Sequence, residues 1–518
     1  MPARRPQFHL LVFGAVAAMA GWAATGAWPA AAQSGLLAPV ADAGPARPGF
    51  RPVMPGEDVS GPSGFGSGTA SPSAGRSGFN SRRGPPLTGT TAFRSRPMAA
   101  PAQPAPVLVS RRPQRRGAPE VTGSVTPYPS VVPVRRRPPE EEPFAALGWR
   151  AGAFLVLPAI DLTAGYDTNP ARRKGGTGSA VTTVASELVV RSDWSRHALN
   201  AELRGSYTTF ASAPDLNRPL FNALIDGRID VSRDLSLDLQ ARGAVGTDNP
   251  GNPNTEAGLS RLPVYTSTGA TVGLTQRLNR LEISAKALAD RTAYGASSFT
   301  DGTTFDNRDR SYNQVGFRLR AGYETVPGFK PFVEVETDRR LHDEKFDRAG
   351  FERDSTGRTA RVGVALDLPR GLRGEVSGGY TIRDYRDPAL RQVKGFVFDG
   401  SLVWAATGLT NVTLTAKSSV NELIRPGESG YLSQDVGVQV DHAFRRWLVG
   451  SLRFGVGFDT YECICQYDQR YALAAALTYK ATRTVQIKGE VRREMMRSND
   501  AGRDYTADIV LLGVRLQR

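Results

Sequence analysis

Charged side chains two residues apart recur through the C-terminal two-thirds of this chain: Arg318 and Arg320, Glu334 and Glu336, then Lys488, Glu490 and Arg492. On a β-strand that spacing puts them on one face, because successive side chains point to opposite sides. With Asp238, Arg242, Arg361, Asp367, Arg373, Glu375 and Lys417 they form a set containing both signs. Such a set can line a wet channel and select solutes by charge, or it can cross-pair and fill an interior. Neither role needs a nucleophile, and the sequence contains no Gly-rich phosphate loop and no nucleophile elbow. The four histidines lack metal-ligand spacing, and His197, His342 and His442 fall beside different connections. Cys463 and Cys465, separated by Ile464 alone, make a poor metal site and at most a strained local disulfide. The expectation is a protein with no catalytic, cofactor-binding or metal-binding residues.

Strands must carry this set. Hydrophobic residues make up 40% of the 518 and the mean hydropathy is -0.31. After the first thirty residues no stretch approaches the roughly 20 apolar residues of a spanning helix. Residues 331–336, 361–368, 412–417 and 485–492 instead alternate apolar and polar side chains. Val315, Phe317, Leu319 and Tyr323 share one side of their strand, and Arg318, Arg320 and Glu324 the other.

Connection lengths alternate too. Tight turns are expected near Ser195, Asp234, Asn279, Gly328, Arg370, Gly408, Arg446 and Thr482. Longer connections lie between them, at 167–180, 211–219, 248–262, 295–308, 342–355, 386–390, 422–430, 462–468 and 497–502. Short turns on one side and long loops on the other mark a bacterial transmembrane barrel, with the short turns in the periplasm. The pattern predicts an all-β fold over residues 144–518: a single antiparallel transmembrane β-barrel of about 18 strands, with sixteen also compatible. A soluble β-propeller repeats at about 40 residues as well, but its blades carry four short strands where these repeats carry two long ones. Aromatic residues fall near strand ends, with Tyr166, Phe210, Tyr294, Tyr385 and Tyr461 by the loops and Trp194, Tyr323, Trp404, Trp447 and Tyr479 by the turns. Two interfacial girdles are the expectation. The last strand bears Val510, Leu512, Val514 and Leu516 on one face. It ends in Arg518 where barrels typically present an aromatic residue to the assembly machinery, which predicts weaker recognition by that partner.

Residues 1–32 read as a signal peptide: Arg4 and Arg5, an apolar stretch from Leu10, and small residues up to Ala32. Residues 33–143 are rich in Pro, Gly, Ser, Ala and Arg without apolar periodicity, as in a disordered periplasmic extension. Formal net charge is +15, with basic clusters at 82–83, 111–112, 115–116 and 135–137. Placed behind an export signal, this charge argues against nucleic acid as a partner. It suits a solvated tether, or contact with anionic glycan or cell wall.

The opening strand Phe154, Leu155, Val156, Leu157 and Pro158, followed by Gly165, Tyr166, Asp167, Thr168, Asn169, Pro170 and Arg172, resembles the start of the β-barrel porin family of outer-membrane proteins. The resemblance covers about residues 148–518 and implies an outer-membrane location with membrane lipid around the barrel. Some members of that family are associated with exopolysaccharide production, which implies glycan passage or export. Taken as residues, Asp167 to Pro170 need no ligand, since Asp, Asn and Pro commonly start a turn. The expected function is a porin-like conduit for small hydrophilic or saccharide solutes. The alternative is a non-conducting structural or surface-interaction barrel. An autotransporter is a third reading, opposed by the strand number and by a Pro-rich, foldless passenger. Replacing Arg318, Arg320 and Arg361 by Ser is expected to shift selectivity towards cations with little change in stability.

Overall fold

Period-two alternation over eighteen long segments produces eighteen strands, each pairing antiparallel with the next. The computed structural model describes residues 143–518 apart from 256, 257, 369, 370, 424, 463–465 and 501. The signal peptide, the N-terminal extension but for Pro143, the turn at Arg370 and the pair Cys463 and Cys465 lie outside the described residues.

The barrel strands are β1 (Phe154–Asp167), β2 (Ser179–Ser192), β3 (Ala198–Phe210), β4 (Arg218–Asp230), β5 (Leu235–Thr247) and β6 (Val264–Leu278). Next come β7 (Leu281–Tyr294), β8 (Tyr312–Tyr323), β9 (Phe329–His342), β10 (Ser355–Asp367), β11 (Leu372–Tyr385) and β12 (Val393–Ala405). The last six are β13 (Thr410–Glu422), β14 (Gly430–Arg445), β15 (Leu448–Tyr461), β16 (Tyr467–Lys480), β17 (Val485–Ser498) and β18 (Tyr505–Gln517). β18 pairs back onto β1 from Ala159↔Gln517 to Asp167↔Ile509, so the sheet closes into a barrel. A short strand, Trp149–Ala151, doubles back along the start of β1. Above the other end, Leu259–Arg261, Ser297–Phe299 and Thr304–Phe305 form a small separate sheet. No helix among the described residues is long and apolar enough to cross a membrane.

Turns and loops alternate between the two ends as expected. Two turns show why their residues were chosen. Asn279 takes a positive φ of 58° in the β6–β7 turn, a conformation Asn tolerates better than most residues. Gly328, at φ 81°, brings the chain so close to β10 that a Cβ there would stand 2.2 Å from the Asp367 carbonyl oxygen.

The two faces differ as the alternation requires. On β10 Val362 is 65% exposed and its neighbour Arg361 6%. The outward face is apolar, and the polar face is turned into the lumen. At the turn end Trp194, Tyr323, Trp404, Trp447 and Tyr479 are all exposed, which gives the expected girdle. At the loop end only Tyr166 of the expected five is exposed, and Phe210 and Tyr461 are buried inside. Phe210, Tyr294, Tyr385 and Tyr461 each lie two residues beyond an inward residue (Thr208, Thr292, Arg383 and Asp459), so strand parity turns them into the mouth. Tyr265, Tyr312, Tyr431 and Tyr505 join them there. Four of the five expected residues therefore line the lumen mouth, while Tyr166, Tyr207, Phe221 and Tyr467 are exposed outward aromatics at this end.

The wall is irregular at one place. β12 and β13 pair only from Gly400↔Ala416 to Ala405↔Asn411, whereas β13 and β14 stay paired up to Glu422↔Gly430. Beyond that last pair, Val420 and Leu432, on the outward side of the β13–β14 hairpin, pack against Val393 and Val397 on the inner side of β12. The loop end of the hairpin therefore slips behind β12 into the lumen. The seam is held by side chains: the Phe398 N–H donates to Ser418 Oγ at 2.9 Å, and Gln434 Nε2 donates to the Phe396 carbonyl at 2.6 Å.

Candidate solute path

Strand register sets opposite charges face to face inside the barrel. Arg318 stands opposite Glu336, Arg320 opposite Glu334, and Glu334 opposite Arg361. The side chains meet accordingly: Arg318 Nε donates to Glu336 at 3.0 Å, and Arg361 Nη1 reaches Glu334 at 3.0 Å and Glu336 at 3.1 Å. Arg320 pairs with Glu334 and with Glu375 at 2.8 Å, three strands away on β11. A contact between β8 and β11 can be made only through the interior of a closed barrel, which fixes this face as the luminal one.

A second ladder climbs β17 on nearly the opposite wall. Lys488 meets Asp161 at 3.2 Å, Glu490 meets Arg453 at 2.7 Å and Arg492 at 2.9 Å, and Arg492 meets Glu494 at 3.3 Å. Glu494 continues to Arg172 at 2.7 Å, and Arg172 to Asp167 at 2.8 Å. Arg242 pairs with Asp290 at 2.7 Å, and Thr275 Oγ1 donates to Asp238 at 2.8 Å. Asp367 and Arg373 pair at 3.0 Å near the turn end, where both are more exposed. Lys417 stands opposite Asp435, which Arg470 also contacts at 2.9 Å.

All the residues expected on the luminal face point there, but most are engaged with one another. These pairs lead to a different expectation from little change in stability on replacing Arg318, Arg320 and Arg361 by Ser. The three arginines neutralise three carboxylates that have little water to replace them.

Sequence patterning missed the mouth. The connection between β5 and β6, at residues 248–263, folds inward. Asp248 at its start is held by Arg310 at 2.9 Å, and the Arg310 guanidinium lies 3.9 Å from the Tyr294 ring centre. At its tip Asn254 Nδ2 donates to the Glu422 carbonyl on β13 at 3.0 Å. Arg503, before β18, donates to the Gly251 carbonyl at 3.4 Å. A loop rooted between β5 and β6 that touches both β13 and the β17–β18 connection lies across the lumen.

The inward tip of β13 meets the loop there. Glu422 accepts from Arg340 at 3.1 Å and bonds His342 Nε2 at 2.9 Å. Arg353, in the β9–β10 connection, donates to the Leu423 carbonyl at 2.6 Å and the Glu428 carbonyl at 3.0 Å, and pairs with Asp347 at 2.6 Å. Three arginines thus fasten this crossing: Arg310 holds the loop, Arg340 holds Glu422, and Arg353 holds the chain beyond it. His342 belongs to this cluster, while His197 and His442 sit at the turn end, bonded to the Asp230 N–H and to Thr410. Among the described residues no group of three or more His, Cys, Asp or Glu side chains is placed to hold a metal ion.

Burial would raise the pKa of Asp347, but the N–H groups of Phe351 and Ala349 and the Arg353 guanidinium outweigh it and hold the carboxyl below its usual value of 3.8. A depressed carboxylate contributes stability that is full above the unfolded-state pKa and lost as pH falls through the folded one. The Asp347–Arg353 fastening is therefore expected to persist from neutral pH down to about pH 4 and to loosen below it. Amide exchange in residues 347–353 measured against pH checks this, and protection lost between pH 5 and 7 would contradict it.

Residues 142–518 match the model of the family described as "Putative beta-barrel porin 2". No curated protein matches the chain in sequence. Similar solved structures include Pseudomonas aeruginosa OccK3 (OpdO), at 13% identity over 70% of this chain and 95% of that one, with a TM-score of 0.35. The outer-membrane protein opdK of Pseudomonas aeruginosa gives 11%, 70%, 98% and 0.35. Acinetobacter baumannii OccAB4 gives 10%, 70%, 98% and 0.36.

Proposed function

Because the chain belongs to this β-barrel porin family and is an outer-membrane barrel, we propose that it is a conduit for small hydrophilic or saccharide solutes, closed at rest by its own mouth. The observation that carries this reading is the polar interior. A barrel serving only as scaffold could fill its lumen with apolar side chains, whereas here two ladders of buried charged side chains run along the wall, with Ser, Thr, Gln and Asn as well as smaller apolar residues between them. Paired charges of both signs favour neutral polar solutes over ions of either sign, since a bare ion would have to compete with a partner already in place. Hydroxyl-rich saccharides can exchange hydrogen bonds with such a wall, and exopolysaccharide export is a setting that would use it.

Residues 1–32 would serve as signal peptide, and the basic residues 33–143 would extend into the periplasm to meet anionic glycan or cell wall. Liposome swelling tests the proposal. Proteoliposomes of a variant with residues 250–255 replaced by a short Gly-Ser linker, which opens the mouth, are expected to admit neutral mono- and disaccharides faster than sugar acids or amino sugars of similar size. Equal exclusion of all of them would support the second reading, a non-conducting structural barrel, which the tightly bonded mouth favours.

A further inference from the structure

The outward face is not uniform around the loop rim. On β1 to β6 the outermost lipid-facing residues are uncharged: Tyr166, Thr182, Thr209, Phe221, Thr247 and Val264. On β7 to β12 the same level carries Arg291, Arg339, Arg358 and Lys394. Arg291 lies ten residues from Leu281, Arg339 ten from Phe329, and Lys394 ten from Trp404, all outward residues at the turn end. At about 3.3 Å per residue and a tilt of about 40°, ten residues rise about 25 Å, the height of the apolar band of such barrels. These cations therefore stand where hydrocarbon gives way to headgroups.

Three of them form one patch. Arg358 and Lys394 both flank Ile382 of β11, and Arg339 is diagonal to Arg358 across the β9–β10 pair. Arg291 is occupied by Asp343, and Arg358 is 3.6 Å from Asp384. Arg339 and Lys394 make no ion pair among the described residues. Directly below lie Phe317, Val335, Val362 and Phe396, all exposed. Basic side chains over an apolar wall match an amphiphile whose phosphate sits above its acyl chains.

We propose that the β8–β12 sector binds the phosphate-bearing headgroup of an anionic outer-leaflet lipid, with the acyl chains lying along Phe317, Val335, Val362 and Phe396. The lipid would brace the sector that ends at the weakly paired β12–β13 seam.

The test is titration of the detergent-solubilised full chain with lipid A, read by native mass spectrometry. A basic residue near an anionic surface contributes about fivefold in affinity, so Arg339→Gln, Arg358→Gln and Lys394→Gln together should weaken retention about a hundredfold. The control variant Arg493→Gln and Arg497→Gln, also outward at the loop rim but on β17, should retain lipid A like wild type. Heat-modifiable gel migration identifies assembled barrels. If the triple variant does not assemble, Arg339→Gln with Lys394→Gln gives the same comparison at about twenty-five-fold. Retention by the sector variant equal to wild type, or equal loss in both variants, overturns the proposal. So does full competition by millimolar inorganic phosphate, which would mean a site for free phosphate rather than lipid.

Discussion

Barrels carrying Arg318→Ser, Arg320→Ser and Arg361→Ser together are expected to fail in assembly rather than to change ion selectivity. The three guanidinium groups are the partners of Glu334, Glu336 and Glu375, and Glu334 and Glu336 are buried. Removing one partner of a buried pair costs roughly 3–5 kcal/mol, because the remaining charge keeps its desolvation penalty without its neutralisation. Three removals in one network do not simply add, yet the total is comparable with the whole stability of an ordinary domain. Heat-modifiable migration and urea unfolding in micelles measure the effect. Adding Glu334→Gln, Glu336→Gln and Glu375→Gln to the same chain should recover part of the loss, since no charge is then left alone. A stable, assembled Ser variant that merely favours cations would show that these arginines face open water.

Lipid-face substitutions should be as damaging for a different reason. Val362→Arg and Leu319→Arg, made singly, each put a charge on the outward side near the middle of the apolar band, where both residues are exposed. Such a residue costs roughly 2–4 kcal/mol at the membrane midplane and much less near the interfaces. Assembly into bilayers should fall steeply for both, while Thr337→Arg, closer to the loop rim, should be tolerated. Folding yield into vesicles, separated on gels without boiling, reads the difference. Equal yields at the three positions would mean that this wall does not face lipid.

Much of the wall was legible in the sequence because its physics is local. Alternation at period two gives strand, face and length together, and the contrast between Val362 and Arg361 was written in their neighbours. Cross-strand pairs such as Arg318 with Glu336 follow once adjacent strands are joined by a tight turn, since the turn sets the register. The loop-end aromatics were open to the same treatment. Phe210 and Tyr461 share parity with inward residues, and their placement as a girdle came from position along the strand alone.

The mouth was not legible. Asn254 and Glu422 are 168 residues apart, and nothing near either of them signals the bond between them. The same holds for Arg353 and the Leu423 carbonyl, where the acceptor is backbone and carries no sequence signal. The slip of β13 behind β12 depends on Val420 and Leu432 finding Val393 and Val397. In a strand pattern those residues look like ordinary lipid-facing positions.

In the proposed conduit, the β5–β6 loop and the tip of β13 close one end of a polar lumen. Single-channel conductance of the full-length barrel in planar bilayers tests it most directly, compared with a variant in which residues 250–255 are replaced by a short Gly-Ser linker. That replacement removes the Asn254–Glu422 bond and the Gly251 contact while leaving Asp248 and Arg310 in place. Small or infrequent openings in the wild type and a several-fold larger, steadily open conductance in the variant are the expected result. Two assembled barrels that are both silent, or that conduct identically, would contradict it.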